Sequence, residues 1–337
     1  MGRKQILFGL LAVAISASVA LALAEVILRL GYPQETMSPR WRFSPRYCTL
    51  AYPLAQMIHE RPGRWRFVYT TNELGHRGPR IPPPASSTKP TVIVLGDSYT
   101  FGAGVNDGEE YPAVLARGLG DVAQVVNLGV GGWGLSQEIR RFHDVGAPYA
   151  PSIVILQFSA NDPEDDLNCP VTSIENGEFQ FHDRDDAIFS LKRYLSQSII
   201  QRSQVYNLFR DATYRFFADR KIEATRRSLG SAGGARPDEM VHAQLLSLFA
   251  EQLHARGIPL ILISVNGQLA TFPHVMRTAQ DLAARKALVI YDAADWLAGM
   301  SDYASPEGHA WGSRAHAVIG HELAEIIRPL VRAGAEP

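Results

Sequence analysis

The 337-residue sequence contains only two cysteines, Cys48 and Cys169. They have neither the paired spacing of a zinc site nor a Cys-x-x-Cys redox motif, which excludes both classes. The ten histidines show no His-Glu-x-x-His or similar ligand spacing, so no metal and no other cofactor is expected. In an exported protein the two cysteines could form one disulfide; otherwise they are two separate thiols.

The sequence also lacks an excess of charge of either sign, since its formal net charge is -1 at pH 7. It has no long basic run and no platform of interleaved basic and aromatic residues, so nothing indicates a nucleic-acid partner. The length exceeds one average domain, although a single α/β domain with insertions could occupy most of it. The oligomeric state is left open.

Residues 1–30 carry the long apolar run of the chain. Arg3 and Lys4 precede an uncharged stretch over residues 5–24, which as a helix would be about 30 Å long and would match the hydrocarbon core of a bilayer. Because the positive end stays in the cytoplasm, the pattern predicts an uncleaved signal anchor with the rest of the chain extracytoplasmic, in the periplasm. Residues 22–24 (Ala-Leu-Ala) also fit a signal-peptidase site, so secretion after cleavage is the alternative.

Residues 31–89 are rich in proline, arginine and aromatic residues and lack sustained periodicity. This composition predicts a connector with short extended pieces, such as residues 65–69, that packs on the following domain. Residues 72–78 are turn-forming, and their expected role is this packing. The alternative for Arg77 is contact with an anionic group of a substrate.

From residue 90 onward, apolar runs alternate with helix-like segments. The runs are mostly continuous, as expected of parallel strands covered on both faces, and the predicted strands are 91–95, 123–127, 153–158, 259–265 and 288–291. The predicted helices are 110–119, 136–142, 239–255, 275–285 and one that begins near Gly312 or Ser313. This alternation predicts a three-layer α/β/α sandwich with a central parallel sheet over residues 90–334.

One segment, at about residues 163–236, does not fit the alternation. It contains a helical, basic and aromatic stretch over residues 188–227 and closes with a glycine-rich run at residues 230–234. Because it leaves the core near a strand end, it is expected to form either a lid over the site or a surface helical hairpin without substrate contact.

The predicted strand 91–95 stops abruptly at Gly96, Asp97 and Ser98. Ser98 is thereby placed at the carboxyl end of a strand, at the edge where open α/β sheets bind their ligands. A following helix N-terminus offers backbone N–H groups to an anion. Ser98 is therefore a candidate nucleophile, and the alternative is a turn without chemistry, since all three residues favour turns.

Four short blocks, in order along the chain, resemble those of the SGNH, or GDSL, hydrolases. They are Gly-Asp-Ser-Tyr-Thr-Phe-Gly at residues 96–102, Asn-Leu-Gly-Val-Gly-Gly at 127–132, Ser-Ala-Asn-Asp at 159–162 and Glu-Gly-His at 307–309. In the third block, Ser159 replaces the family's usual glycine. The resemblance covers roughly residues 90–328 and implies a flavodoxin-like arrangement of the sheet.

The resemblance implies a role for each block. Ser98 is the expected nucleophile and His309 the expected base, because a serine hydroxyl needs a neighbouring group that removes its proton. The implied oxyanion hole consists of the backbone N–H groups of Ser98 and Gly132 and the side-chain amide of Asn161, which would meet the negative oxygen of the attacked ester. The alternative for Asn161 is a structural role in closing a turn before Asp162.

The acidic residue that would orient His309, as the third member of a Ser-His-acid triad, departs from the family pattern. The family usually has an aspartate three residues before the histidine, and that position is Pro306 here. Glu307, two residues before His309, is the expected acid, and Asp302 is its rival. A Ser-His dyad that uses a backbone carbonyl is the remaining alternative.

Together these features predict a membrane-anchored, extracytoplasmic serine esterase that cleaves acyl esters through an acyl-serine intermediate. The expected substrates include O-acetyl groups on cell-envelope glycans or lipids. Two alternatives stay open at this point. One is an O-acyltransferase that uses the same site to modify a polysaccharide, and the other is a non-catalytic binding module on the same scaffold.

Overall fold

The computed structural model describes residues 2–84, 89–184, 194, 202–210, 212–213 and 236–333. Its first element is an apolar helix, Arg3–Gly31, which we call the N-terminal helix. By length and composition this helix could cross a membrane, and a signal sequence would meet the same criteria. Its apolar part is not buried against the rest of the chain.

Two small antiparallel sheets follow the N-terminal helix. The first contains β1 (Thr36–Ser38), β4 (Gln56–Arg61) and β5 (Trp65–Thr70), in the order β1-β4-β5. The second pairs β2 (Arg42–Ser44) with β3 (Cys48–Leu50). The extended piece predicted at residues 65–69 corresponds to β5. The strands β1, β2 and β3 have three residues each, which is too short for a recognisable alternation in the sequence.

Arg77 fastens this connector to the core. Its buried side chain donates hydrogen bonds to the carbonyl oxygens of Phe101 at 3.1 Å and Val105 at 2.7 Å. Its charge is met by Asp107 at 3.2 Å and Glu110 at 3.5 Å, as a buried guanidinium requires. Because the guanidinium is surrounded by the protein itself, Arg77 has a packing role and does not face a substrate.

A disulfide between Cys48 and Cys169 joins the connector to the insertion. The two residues are 121 positions apart in the sequence, and their side chains form a small apolar cluster with Phe43 and Val171. A cross-link over so long a loop restricts the unfolded chain. The bond therefore secures the connector on the domain independently of Arg77.

A five-stranded parallel sheet forms the centre of the domain. Its strands are β6 (Thr91–Leu95), β7 (Gln124–Asn127), β8 (Ile153–Phe158), β11 (Leu260–Ser264) and β12 (Val289–Asp292). They lie in the order β12-β11-β8-β6-β7. Counted within this sheet and read from β7, the order is the flavodoxin-like 2-1-3-4-5. The predicted parallel sheet is confirmed, and each predicted strand boundary lies within about one residue of the observed one, closer than such predictions usually come.

Helices cover both faces of the sheet, which confirms the three-layer fold. On one face pack Leu135–Arg141, Pro237–Ala255 and Pro273–Ala284. On the other face pack Tyr111–Leu119 and Ser313–Ala333, which we call the C-terminal helix. Every residue of β6, β8 and β11 is buried between these two layers. This burial explains why the strands read as continuous apolar runs.

The insertion begins with a short helix and a β-hairpin, which precede the helical stretch predicted at residues 188–227. After the short helix Asp162–Asn168, the chain forms an antiparallel hairpin of β9 (Thr172–Glu175) and β10 (Glu178–Phe181). The hairpin turn is Asn176-Gly177, with both residues at positive φ. This dipeptide is a strong hairpin signal that the helical interpretation overlooked. The predicted helical stretch 188–227 lies mostly outside the described residues; within it, residues 204–210 are helical.

Candidate active site

Ser98 follows the carboxyl end of β6, at the first position of the short helix Ser98–Phe101. Gly96, two residues earlier, has a φ of +152°, and a Cβ there would lie only 2.1 Å from Thr100 Oγ1. Only glycine therefore fits this turn. Asp97 caps the helix, because its Oδ1 accepts a hydrogen bond from the backbone N–H of Tyr99 at 2.9 Å. The Gly-Asp-Ser turn thus holds a half-buried Ser98 at the sheet edge.

His309 lies beside Ser98, in the loop that precedes the C-terminal helix. Its Nε2 is 2.8 Å from Ser98 Oγ. The imidazole packs edge-on against the ring of Tyr99, with 5.1 Å between the ring centroids, and it keeps 26% of its side chain exposed. At this distance the hydroxyl can pass its proton to the imidazole, which is the geometry that a serine nucleophile and its base require.

Glu307 contacts the other imidazole nitrogen, and its Oε1 is hydrogen-bonded to His309 Nδ1. A tight turn explains how an acid only two residues away reaches the ring. The backbone N–H of Ser305 donates to the carbonyl of His309 at 2.9 Å, and Gly308 has a φ of +127° that favours glycine. Asp302 is exposed and makes no hydrogen bond or ion pair with His309.

Gly104, in the loop after the helix Ser98–Phe101, leaves room for the Glu307 carboxylate. A Cβ on Gly104 would lie 2.3 Å from Glu307 Oε1 and 2.2 Å from Ser305 Oγ. The two loops are joined by a hydrogen bond of 2.9 Å from Ser305 Oγ to the Gly104 carbonyl. The backbone N–H of Gly104 donates to the Tyr69 hydroxyl at 3.0 Å, so strand β5 of the connector contacts the loop that adjoins Glu307.

The charge of Glu307 sets the protonation behaviour of His309. Burial by itself lowers the pKa of His309, but the hydrogen bond and the negative charge of Glu307 outweigh it, and the pKa is raised above its ordinary value. His316, in the C-terminal helix, behaves oppositely. Its ring stacks on Tyr111, and burial lowers its pKa to about 3. His316 is therefore a packing residue and not a second base.

Two of the three predicted oxyanion donors have backbone N–H groups that donate to no described residue. The Ser98 N–H is at the first helical position, which has no intrahelical acceptor. Gly132 is itself exposed and has a φ of +74°. Asn127 joins this loop to the helix Ser98–Phe101, because its Nδ2 donates to the Thr100 carbonyl at 3.1 Å and its Oδ1 accepts from the Gly129 N–H at 2.9 Å.

Asn161 differs, because its amide hydrogens are already engaged. Nδ2 donates to Asp97 Oδ2 at 3.1 Å and to Asp165 Oδ2 at 2.8 Å. Burial raises the pKa of Asp165 to about 7, so this acceptor is partly neutral near neutral pH and binds an N–H less strongly than a carboxylate does. An oxyanion formed at Ser98 must compete with these two groups for the amide.

Ser159 is the centre of a buried polar network beside Asn161. Its Oγ lies 2.8 Å from Asp97 Oδ2, 2.8 Å from Asp162 Oδ1 and 2.7 Å from Asn161 Oδ1. A hydroxyl has one hydrogen and can donate to only one of these oxygens. The two carboxyl groups are therefore close enough to disfavour a charge on both of them. Burial and the nearby charge of Asp97 raise the pKa of Asp162 well above its usual range.

The sequence analysis assigned no role to Asp97 or to the Ser159 hydroxyl. A signal existed for each of them. Asp97 stands directly before a helix, where aspartate is a preferred N-cap, and Ser159 departs from the glycine of the resembled block. Their joint contact with Asn161 depends on the neighbouring positions of β6 and β8 in the sheet, which the order of the residues along the chain does not reveal.

The connector also borders the site, through Trp41. A Cβ on Gly131 would lie 2.9 Å from Trp41 Cζ2, and the Trp41 and Phe101 rings meet edge-on with 4.8 Å between centroids. Trp41 thus lies next to the loop that carries Gly132. An aromatic residue in an aperiodic stretch gives no indication of this position, so the sequence analysis missed it.

The family comparison matches residues 94–311, nearly two-thirds of the chain, to the GDSL-like lipase/acylhydrolase family. The matched range contains all four sequence blocks. No curated protein matches this sequence.

Several solved structures resemble the domain at low sequence identity. TesA is 15% identical, with a TM-score of 0.44, and the match covers 71% of this chain and 99% of TesA. The psychrotrophic esterase EstA from Pseudoalteromonas sp. is 12% identical, with a TM-score of 0.43 and coverage of 72% and 98%. The aryl esterase of M. smegmatis in its inhibitor-bound form is 12% identical, with a TM-score of 0.41 and coverage of 72% and 99%.

Proposed function

We propose that this chain, which belongs to the GDSL-like lipase/acylhydrolase family, is a serine esterase that cleaves acyl esters through an acyl-serine intermediate. Ser98 is the nucleophile, His309 the base and Glu307 the acid. The observation that carries the proposal is the pair of contacts on one imidazole. His309 Nε2 lies 2.8 Å from Ser98 Oγ, and Nδ1 is hydrogen-bonded to Glu307.

The proposed reaction begins when Ser98 Oγ attacks the ester carbonyl carbon and its proton passes to His309 Nε2. The imidazolium that forms is stabilised by the Glu307 carboxylate at Nδ1. The negative oxygen accepts hydrogen bonds from the N–H groups of Ser98 and Gly132. The Asn161 amide also donates to it, once one of its hydrogens leaves the carboxyl group of Asp97 or Asp165. His309 then protonates the leaving alcohol, and a water molecule attacks the acyl-serine by the same route.

The proposed location is extracytoplasmic, with the N-terminal helix as an anchor in the membrane. Two observations support it. The helix Arg3–Gly31 is long and apolar enough to span a bilayer, with Arg3 and Lys4 at its start. The disulfide between Cys48 and Cys169 is typical of oxidising compartments. Digestion of the domain by protease added outside the cytoplasmic membrane tests this orientation.

The proposed substrates are acyl esters on cell-envelope glycans or lipids. The first test is labelling of the purified protein by a fluorophosphonate, which reacts with an activated serine, followed by assays on acetylated glycans, short-chain esters and lysolipids. We expect labelling at Ser98 and release of free acid. Transfer of the acyl group to an added glycan without free acid would instead identify an O-acyltransferase. Absence of both labelling and turnover would identify a non-catalytic module.

The proposed pair of His309 and Glu307 predicts a specific pH profile. His309 acts as a base only when neutral, so kcat/KM should rise with pH through the pKa of His309 in the free enzyme. Since Glu307 raises this pKa, the midpoint of the acid limb is expected above 6.5, the ordinary value for histidine. Glu307→Gln should move the midpoint to lower pH. A midpoint that does not move would contradict the assigned pair.

A further inference from the structure

The carboxyl end of the N-terminal helix is bound to a segment of the insertion. Glu25 Oε2 accepts hydrogen bonds from Ser203 Oγ at 2.8 Å and from the backbone N–H of Val205 at 3.1 Å. Its Oε1 accepts from the backbone N–H of Gln204 at 3.0 Å. One carboxylate thus caps the start of the helical residues 204–210.

Two further contacts hold the same junction. Arg29, ion-paired with Glu25 at 2.7 Å, donates to the carbonyl of Arg202 at 3.0 Å. Beyond the end of the N-terminal helix, the backbone N–H of Gln34 donates to the side chain of Gln204. Residues 202–210, which we call the docked segment, are therefore fixed beside the end of the N-terminal helix.

The docked segment has an unusual distribution of polar and apolar side chains. Its polar residues Gln204 and Asn207 are 5% and 0% exposed, whereas Leu208 and Phe209 are 38% and 65% exposed. A helix at a water surface buries its apolar face and exposes its polar face. At these four positions the docked segment does the opposite, which is the arrangement expected of a helix whose outer face meets an apolar medium.

The N-terminal helix indicates which medium surrounds the docked segment. At 1.5 Å per residue its 29 residues extend about 43 Å, more than the roughly 30 Å of a bilayer core. Glu25 is the first charged residue after the uncharged run 5–24, so the helix leaves the bilayer core near the docked segment. Four of the exposed side chains there are again apolar or aromatic, and they flank the exposed Arg29: Val26, Ile27, Leu30 and Tyr32. Such residues are typical of the lipid interface.

We propose that the docked segment lies on the outer surface of the lipid bilayer, with Leu208 and Phe209 inserted at the headgroup level beside the exit of the N-terminal helix. This inference rests on the anchoring part of the proposed function. Lipid is the expected occupant because the exposed apolar residues of the segment adjoin those of a helix that already meets the bilayer. The competing explanations are that a second copy of the chain, or other residues of the insertion, pack against Leu208 and Phe209.

The docked segment also connects to the active site. Glu35, next to Gln34, is 2.7 Å from His59 Nε2, and His59 Nδ1 is 2.8 Å from the Tyr69 hydroxyl. Tyr69 in turn accepts from the N–H of Gly104 at 3.0 Å, beside the catalytic acid. This series of hydrogen bonds links the docked segment to the loop beside Glu307, so we expect esters carried by membrane molecules to be among the substrates that the site reaches.

The test uses the full-length protein in phosphatidylcholine and phosphatidylglycerol vesicles that contain doxyl-labelled lipids. The two native cysteines are bonded to each other, so a single introduced cysteine can carry an environment-sensitive fluorophore. Three variants are compared. Phe209→Cys probes the docked segment, Val13→Cys probes the middle of the N-terminal helix, and Asp281→Cys is an exposed control on the helix Pro273–Ala284, beside the far edge of the sheet.

We expect the label at position 209 to be quenched several-fold more than the label at 281, and more by lipids with a shallow doxyl group than with a deep one. The label at position 13 should be quenched best by the deep group. Quenching at 13 together with no quenching at 209 would overturn the inference. If the unquenched label at 209 has a blue-shifted emission, protein and not lipid covers that position. No quenching at 13 would refute the anchor and this inference together.

A further variant tests whether Glu25 holds the docked segment in place. Glu25→Ala, added to Phe209→Cys, removes the acceptor of three hydrogen bonds that hold the docked segment. Quenching at 209 should fall towards the value at 281, while quenching at 13 in the matched Glu25→Ala, Val13→Cys protein should stay unchanged. Unaltered quenching at 209 would show that Glu25 does not position the segment.

Discussion

Ser98→Ala is expected to lower kcat for ester hydrolysis by on the order of 10⁴-fold or more and to abolish fluorophosphonate labelling. The reason is that the proposed reaction passes through a covalent bond to Ser98 Oγ, so removing this atom removes the pathway and not merely a supporting contact. The fold should be retained. Ser98 is half-buried, its hydroxyl contacts chiefly His309 at 2.8 Å, and alanine suits the first turn of a helix.

The matched control is Ser152→Ala, which removes an exposed hydroxyl just before β8, at the opposite end of the sheet strands. This variant should keep wild-type kcat and labelling. Circular dichroism and thermal unfolding of both variants verify that any loss in Ser98→Ala is chemical and not structural. Activity of Ser98→Ala within tenfold of wild type, a criterion of about 1.4 kcal/mol in barrier height, would remove Ser98 as the nucleophile.

Glu307→Gln is expected to produce the second large effect. The substitution removes the charge that stabilises the imidazolium of His309, an interaction that is strongest in the transition state. Loss of one such electrostatic partner commonly costs about 2 to 4 kcal/mol, or on the order of 10² to 10³ in rate. The loss should appear in kcat with little change in KM, because Glu307 has only 6% of its side chain exposed behind the histidine.

Asp302→Asn serves as the matched control, because Asp302 is the rival acid but is exposed and makes no hydrogen bond with His309 in the structure. This variant should be nearly silent. Glu307→Asp is the sharper variant, since it keeps the charge but shortens the side chain by one methylene. We expect it to lose much of the activity. If Asp302→Asn shows the large loss instead, Asp302 is the acid; if both are mild and His309→Ala is severe, the site is a dyad.

The strands and the main helices could be predicted from the sequence because each one carries a local signal. The strands β6, β8 and β11 are covered on both faces, so their residues are almost uniformly apolar. The hairpin of β9 and β10 was not predicted although its Asn176-Gly177 turn is a recognisable signal, because the helical stretch at residues 188–227 was the only structure assigned within the insertion. The connector strands gave no pattern, since three-residue strands contain too few alternations.

The candidate site was only partly accessible to this reasoning. Ser98, Gly132, Asn161 and His309 could be named because each lies in a short contiguous block. Glu307 was proposed as the acid against Asp302, and the contact between Glu307 and His309 depends on a turn at Gly308 and on the space left by Gly104. Because Gly104 belongs to a loop some two hundred residues away, no local pattern contains that information.

The sequence by itself determined the order of the five parallel strands and of the helices that cover them, the apolar N-terminal helix and the position of Ser98 at a strand end. These features follow from periodicity and turn preference within a few residues. The tertiary structure decided which side chains meet. It engaged the Asn161 amide with Asp97 and Asp165, and it tied Glu25 to the docked segment. Such contacts join residues that are distant in the chain, and their geometry is fixed only when the whole domain packs.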